Sequence, residues 1–404
     1  MSNNLPLPKI ALVHDWLIEI GGAERVLKAL HNLFPWAPVY CLFQRVQFTK
    51  AFLPRAEIRT SRWQSFYRRL NDHKWLIPFL PLAVESLDLS TYDVVISTAQ
   101  FSKGLTLKPQ TLHINYCSSP TRQLWDWQNE YRQEKHQLPK LFIALFQHCQ
   151  RLWDRAAATR VDHFIANSEN TRQRIEKYYR RSAMVIYPPA GTPRQLTLLS
   201  SIGRSNYWLI VSRLFSHKNL DIAVKAFQKL EWPLVIIGQG PELPRLRRLA
   251  GKSSNIKFLG YQSEAIVQQY YSNCLAFVLP QEEDFGITPL EAMSYGKPVL
   301  ALARGGALEY IKPGINGEWF EEPREEMLAD GARRLQANLA SYNQAEIKRT
   351  AAQFSSIRFR EEILAFVNDC RDGADGIQRL PFAFLHPDRA DASYADRRAG
   401  ALSR

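Results

Sequence analysis

Residues 279–300, LPQEEDFGITPLEAMSYGKPVL, leave the chain few folds to choose from. The apolar run 275–279 suits a buried strand, and an acidic loop containing Gly286 follows it. Thr288 can cap a short helix, with Pro289 at the first helical position, where its missing N–H costs nothing. Gly296 and Pro298 stop that helix, and the next apolar run begins at Val299. A strand–loop–helix–strand unit of this length is the building block of a parallel α/β sheet. It leaves Glu283 and Glu291 at the C-terminal edge of the strands, where such sheets bind ligands. By spacing alone Thr288-x-x-Glu291 is also a capping box, the Glu reaching back to the cap N–H.

The same alternation recurs along the chain. Strands are expected at 9–14, 39–43, 92–97, 112–117, 161–168 and 183–189, with helices at 23–33, 140–160 and 170–179 between some of them. A second series opens with a strand at 207–212 and continues through 233–238, 255–260, 275–279 and 298–302. The polar, irregular stretch 191–204 reads as a linker. A chain of 404 residues can hold two such cores. The expected division is 1–195, 196–355, a final amphipathic helix at 356–371 that crosses back to the first domain, and a disordered tail at 372–404.

Several residues at the expected sheet edges suit an anion. Gly21 and Gly22 lie between a strand and a helix, where backbone N–H groups approach a phosphate. Asp15 and Trp16 share that loop. Arg213 and Lys218 follow the first strand of the second half, beside a helix N-terminus. A planar fork and a point charge there would clamp a diphosphate. The five cysteines are scattered without metal-ligand spacing, and no Asp-x-Asp loop suggests a divalent ion on a diphosphate. His113, on a strand, reads as a core histidine. The net charge of +13 calls for an anionic partner. No zinc spacing, RNA-recognition signature or helix-turn-helix points to nucleic acid. In 59–80, Arg and Lys are mixed with Trp, Phe, Tyr and Leu, a composition suited to peripheral contact with an anionic membrane. Lys103 and Lys108 are placed with the same positive surface. No apolar run of 18 residues or signal-like N-terminus occurs, which suggests a cytoplasmic protein at the inner face of the cell membrane.

Taken together, Glu283, Phe285, Gly286, Leu290, Glu291, Ala292, Gly296, Pro298 and Val299 resemble the E-x7-E signature of the retaining glycosyltransferases of family 4. Arg213-Leu-x-x-x-Lys218-Asn219, the Gly238-x-Gly240-Pro241 turn and Gly21-Gly22-x-Glu24 resemble further segments of that family. So do Tyr116-Cys117 and Arg122-x-x-Trp125-Asp126. The resemblance covers roughly 9–370. It implies an α/β protein of GT-B type, two Rossmann-like domains facing across a cleft, that transfers a hexose with retention and without a metal. It implies that Arg213, Lys218 and Glu283 carry the chemistry, Glu283 facing the donor sugar. Gly21, Gly22, Gly238, Tyr261, Phe285, Gly286 and Glu291 would complete the donor site, Glu291 on the ribose. Asp15, Trp16, Ser118 and Arg122 would lie on the acceptor side. The donor implied first is a nucleotide sugar, GDP-mannose, and the acceptor a polyprenyl-linked or other glycan. A UDP-sugar is the alternative donor. Where the family has His and Thr, this chain has Ser118 and Ser119, which leaves room for an inactive scaffold at the membrane surface.

Overall fold

The computed structural model describes residues 8–70, 72–128, 140–190 and 206–372. The expected linker at 191–204 and the tail beyond 372 lie outside these residues. Contacts divide the chain into two units, one running to Tyr187 and resuming at Phe359, the other spanning Pro188–Arg358.

Unit 1 is built on a seven-stranded sheet. Its strands are β1 (Ile10–Leu17), β2 (Val39–Gln44), β3 (Ile58–Thr60), β4 (Val94–Thr98), β5 (Leu112–Cys117), β6 (His163–Ala166) and β7 (Ala183–Val185). They run parallel in the order β3-β2-β1-β4-β5-β6-β7. Parallel strands are covered on both faces, which is why β1 is apolar nearly throughout. Ile10 and Leu12 face one cluster, with Val26, Leu27, Leu30 and Leu33 of helix α1 (Gly22–Leu33). Ala11 and Val13 face the other, with Leu42, Tyr67, Leu80 and Val84. Helices α2 (Lys140–Thr159) and α3 (Glu169–Tyr179) follow β5 and β6. Ser168 caps α3 by accepting from the Thr171 N–H.

Unit 2 holds a six-stranded parallel sheet of β8 (Trp208–Val211), β9 (Leu234–Ile237), β10 (Ile256–Gly260), β11 (Ala276–Leu279), β12 (Val299–Leu302) and β13 (Gly317–Phe320). Its order is β10-β9-β8-β11-β12-β13. Helix α4 (Leu220–Leu230) follows β8, and α5 (Ile287–Ser294) joins β11 to β12. The last helix, α6 (Ser356–Asp372), starts in unit 2 and buries Phe359, Ile363, Leu364 and Val367 in the core of unit 1.

The basic, aromatic stretch 59–80 is not one continuous segment. It ends β3, forms a helix at Gln64–Leu70 and then a 3-10 helix at His73–Phe79. Tyr67, Leu76 and Leu80 enter the core, whereas Phe66, Leu70, Trp75 and Phe79 stay exposed. Lys103 does not belong to any positive surface. It is buried, and its Nζ donates to Asp154 Oδ1 at 2.6 Å. The same carboxylate accepts from Thr121 Oγ1, Trp125 Nε1 and Tyr179 O–H. His113 is a core residue bonded to Ser97 Oγ, and burial pushes its pKa down to about 4.

Candidate functional site

In each sheet the strand order reverses once, and at that point the loops leaving two neighbouring strands part to opposite faces. In unit 2 the reversal lies between β8 and β11. The loop after β8 carries Arg213 and Lys218, and the loop after β11 carries Glu283. Topology therefore brings to one edge the residues that the sequence separates by 65 positions. Lys218 Nζ lies 2.6 Å from Glu283 Oε1, and Gln281 Nε2 donates to the same oxygen at 2.7 Å. Burial pushes the Glu283 carboxyl up, but Lys218 and Gln281 outweigh it, and the group lies below its ordinary value. The Glu283 carboxyl is thus ionised at neutral pH. Asn219, in the left-handed region at φ 50°, ends the Lys218 turn and starts α4. Its side-chain amide reaches the Pro280 carbonyl at 3.5 Å.

Glycines set how closely these loops approach one another. A Cβ on Gly238 would sit 1.8 Å from the Ser212 carbonyl oxygen, and one on Gly240 2.3 Å from that of Leu214. The turn after β9 is therefore pressed against the loop bearing Arg213, and Leu214 N–H donates to the Gln239 carbonyl across the junction. Arg213 is exposed, its guanidinium 5.5 Å from the Phe215 ring centre. On the other side, Gly306 N–H donates to the Glu283 carbonyl at 2.9 Å. A side chain at Gly305 or Gly306 would strike the backbone of Glu283 or Asp284. The carbonyls of Phe285 and Gly286 both accept from the buried Tyr310 hydroxyl at 3.0 Å. Tyr261, just past β10, is 65% exposed.

The capping box expected at Thr288 does not form. Gly286, at φ 91°, is the cap, α5 starts at Ile287, and no side chain bonds the cap. Pro289 is the third helical residue, still within the first turn that lacks N–H partners. The Glu291 carboxylate instead accepts from the Tyr271 hydroxyl at 2.9 Å. The helix begins one residue before Thr288, and its cap position at φ 91° is one that a glycine adopts without a Cβ penalty.

Unit 1 fills its own reversal point, between β1 and β4. The buried Asp15 carboxylate accepts from the N–H groups of Gln100, Phe101 and Ser102, which follow Ala99 at φ 75°. Burial raises the Asp15 pKa against the pull of His14 and these amides. His14 joins Thr98 Oγ1 at 2.7 Å and Glu24 Oε1 at 3.3 Å, tying the Gly21–Gly22 turn to the sheet edge. Trp16 stacks on Phe43 and lies 5.2 Å from the His73 ring. Arg122 is buried, with Nε 3.6 Å from Asp126 and its guanidinium 3.7 Å above the Trp127 ring. The Ser118 carbonyl accepts from Thr171 Oγ1. The structure thus gathers Lys218, Glu283, Phe285 and Gly286 around one edge of unit 2. Asp15 and Arg122 are engaged in contacts within unit 1. Sequence reasoning missed Gln281, Tyr310 and Tyr271. Gln281 stood two residues from Glu283, while Tyr271 and Tyr310 lay in stretches without a readable motif. Among the described residues no group of three or more His, Cys, Asp or Glu is arranged to hold a metal ion.

Residues 199–351 match the family model described as Glycosyl transferases group 1. An uncharacterized glycosyltransferase of Methanocaldococcus jannaschii is 28% identical over 170 residues, covering 41% of this chain and 47% of that protein. D-rhamnosyltransferase WbpZ of Pseudomonas aeruginosa is 31% identical over 177 residues, covering 39% of this chain and 45% of that protein. The chain thus spans less than half the length of these relatives. Among solved structures, Anabaena HepE in complex with UDP has a TM-score of 0.66 at 18% identity, over 89% of this chain and all of that one. Residues 199–351 therefore form a glycosyl transferases group 1 domain, in a chain of two Rossmann-like α/β units whose structural neighbours are GT-B glycosyltransferases.

Proposed function

We propose that the protein is a retaining hexosyltransferase that moves a sugar from a nucleotide donor to a lipid-linked or polysaccharide acceptor in cell-surface glycan synthesis. The observation that carries this is the Lys218–Glu283 pair at the reversal point of the unit 2 sheet, inside the matched domain. Arg213 and Lys218 would neutralise the donor diphosphate. Charge grows there as the sugar departs, so the two cations would stabilise the transition state more than the ground state. Glu283, released from Lys218 by the incoming phosphates, would accept hydrogen bonds from the sugar, and Glu291 from the ribose. Gly238, Gly286 and Tyr261 would line the nucleotide. Gly21 and Gly22 would offer N–H groups to an anion at the sheet edge of unit 1, with Trp16 and Ser118 on the acceptor side. Asp15 and Arg122 would shape that side only through the loops they hold.

GDP-mannose is the donor we favour, because the Tyr116-Cys117 and Arg122-x-x-Trp125-Asp126 segments resemble mannosyl- and rhamnosyltransferases and WbpZ is by name a D-rhamnosyltransferase. A UDP-sugar is the second reading, since HepE was solved with UDP and with UDP-glucose. The exposed Phe66, Leu70, Trp75 and Phe79, set among Arg62, Arg68, Arg69 and Lys74, would bring 59–80 to an anionic membrane and its lipid-linked acceptor.

Thermal unfolding with GDP-, UDP-, ADP- and dTDP-sugars tests the donor site. At about 100 times its dissociation constant, a bound donor stabilises by roughly 2.7 kcal/mol. For a unit of this size that is about 5–10 °C. We expect one nucleotide class to give this shift and both Glu291→Ala and Lys218→Ala to lose it. Silence across the panel would remove the donor site and leave a GT-B scaffold.

A further inference from the structure

Helix α2 is inside out. Its inward positions are Ile143, Gln147, Gln150, Asp154, Ala157 and Ala158, so two glutamines and an aspartate are buried. Its outward face carries Leu141, Phe142, Leu145 and Leu152, which are 82%, 61%, 59% and 60% exposed. A helix on a water-facing surface has the opposite arrangement. Two of these inward groups are held by partners: Gln147 donates to the carbonyls of Gln123 and Gln128, and Asp154 pairs with Lys103. This orientation is therefore fixed by hydrogen bonds and an ion pair. A rotation that hid the leucines would break all of them.

We propose that the outward face of α2 is a second lipid-facing surface, which seats on an anionic bilayer together with 59–80. Three observations favour lipid over a second copy of this chain. The exposed apolar face carries His148 and Arg155 and no exposed acid between Leu141 and Arg155. Two such faces would meet with the same charge, that of Arg155, whereas anionic headgroups complement it. The helix is also tied to the first patch through the interior of unit 1. Trp153 stacks on Phe101, Phe101 lies against Trp16, and Trp16 lies against His73, which opens the 3-10 helix bearing Trp75. Trp153 Nε1 further donates to Glu85, on the helix that exposes Leu82. Third, leucine and phenylalanine beside an exposed arginine are what an interfacial helix presents at headgroup depth. The inference extends the membrane reading of 59–80 and is tested separately from it.

Cys149 lies on this face and is exposed, so it supplies a probe without a new substitution. The full chain, with Cys370→Ser to remove the other accessible thiol, would be labelled there with an environment-sensitive fluorophore. It would then be mixed with phosphatidylcholine vesicles containing about 30% phosphatidylglycerol. The expected result is a blue shift and quenching by lipids carrying a headgroup-level nitroxide. We also expect at least a tenfold fall in partitioning for Leu141→Ser/Leu145→Ser/Leu152→Ser, with Tm held near that of the parent. Binding that is lost in Trp75→Ser/Phe79→Ser, while the Cys149 label stays in water throughout, would overturn this inference and leave the 59–80 contact standing. No partitioning by the parent would sink both. A change from dimer to monomer in the triple-serine variant, without a lipid effect, would assign the face to a second copy and overturn it too.

Discussion

Lys218→Ala is expected to lower the proposed sugar transfer by about 10²–10³-fold, the cost of removing one preorganised charge from a developing anion. The same substitution should lower the stability of unit 2. Breaking a buried ion pair leaves its partner uncompensated, at about 3–5 kcal/mol. Glu283 keeps a quarter of its exposure and still accepts from Gln281, so we expect about 2 kcal/mol, or roughly 4–8 °C in Tm. The pH dependence follows from the depressed Glu283 pKa. The contribution of the pair is complete above the ordinary carboxylate value of 4.5 and is lost as pH falls through the lower folded-state pKa. The stability gap between wild type and Lys218→Ala should therefore be constant near neutrality and close in acid below that value. Initial rates and thermal unfolding across pH check both. A variant with wild-type Tm and turnover within about threefold would show that the pair is neither a clamp nor a support.

The largest effect on stability is expected at Lys103. Both Lys103 and Asp154 are 2% exposed, and the ammonium also lies over the rings of Trp153 and Tyr179 at 5.8 and 5.5 Å. Lys103→Ala strands a carboxylate that binds α2, α3 and the loop after β5 into one network. The loss should be about 3–5 kcal/mol. For a unit of this size that is on the order of 10 °C, measured by thermal unfolding. Adding Asp154→Asn to Lys103→Met should recover part of this, because the uncompensated charge is then gone. If Lys103→Ala unfolded within about 2 °C of wild type, water must reach Asp154 and the network would not be the dry one described here.

The central strands were legible because they are buried on both faces and read as uninterrupted apolar runs, as 234–237 and 276–279 do. Two of the four edge strands, β3 and β13, were not. Ile58–Thr60 offers one aliphatic residue in three, and Gly317–Phe320 begins with Gly and Glu, since an edge strand packs and pairs on one side only. The helix at Glu264–Asn273 buries Tyr271 alone and so lacks a stripe. Within the site, Lys218 and Glu283 could each be named from local spacing. Their contact could not, because it depends on β8 and β11 being neighbours in the sheet. Lys103 misled for a related reason: a lysine in a polar loop reads as solvated unless its buried partner, 51 residues away, is known. Asp15 likewise gave no sign that its carboxylate would be held by the amides of 100–102.

Helix α6 has a consequence for the order in which the chain can mature on the ribosome. The cluster that holds Ile10, Leu12 and Ile114 is closed by Phe359, Ile363, Leu364 and Val367, and all of unit 2 is translated before those four residues. At about 5–20 residues per second, unit 1 waits on the order of 10–30 s with one face of its sheet incompletely covered. Unit 2, a continuous segment, has no such delay. A nascent chain stalled after unit 2 should thus carry a finished second domain and a protease-sensitive first one, and release of the final helix should be the event that locks the N-terminal half.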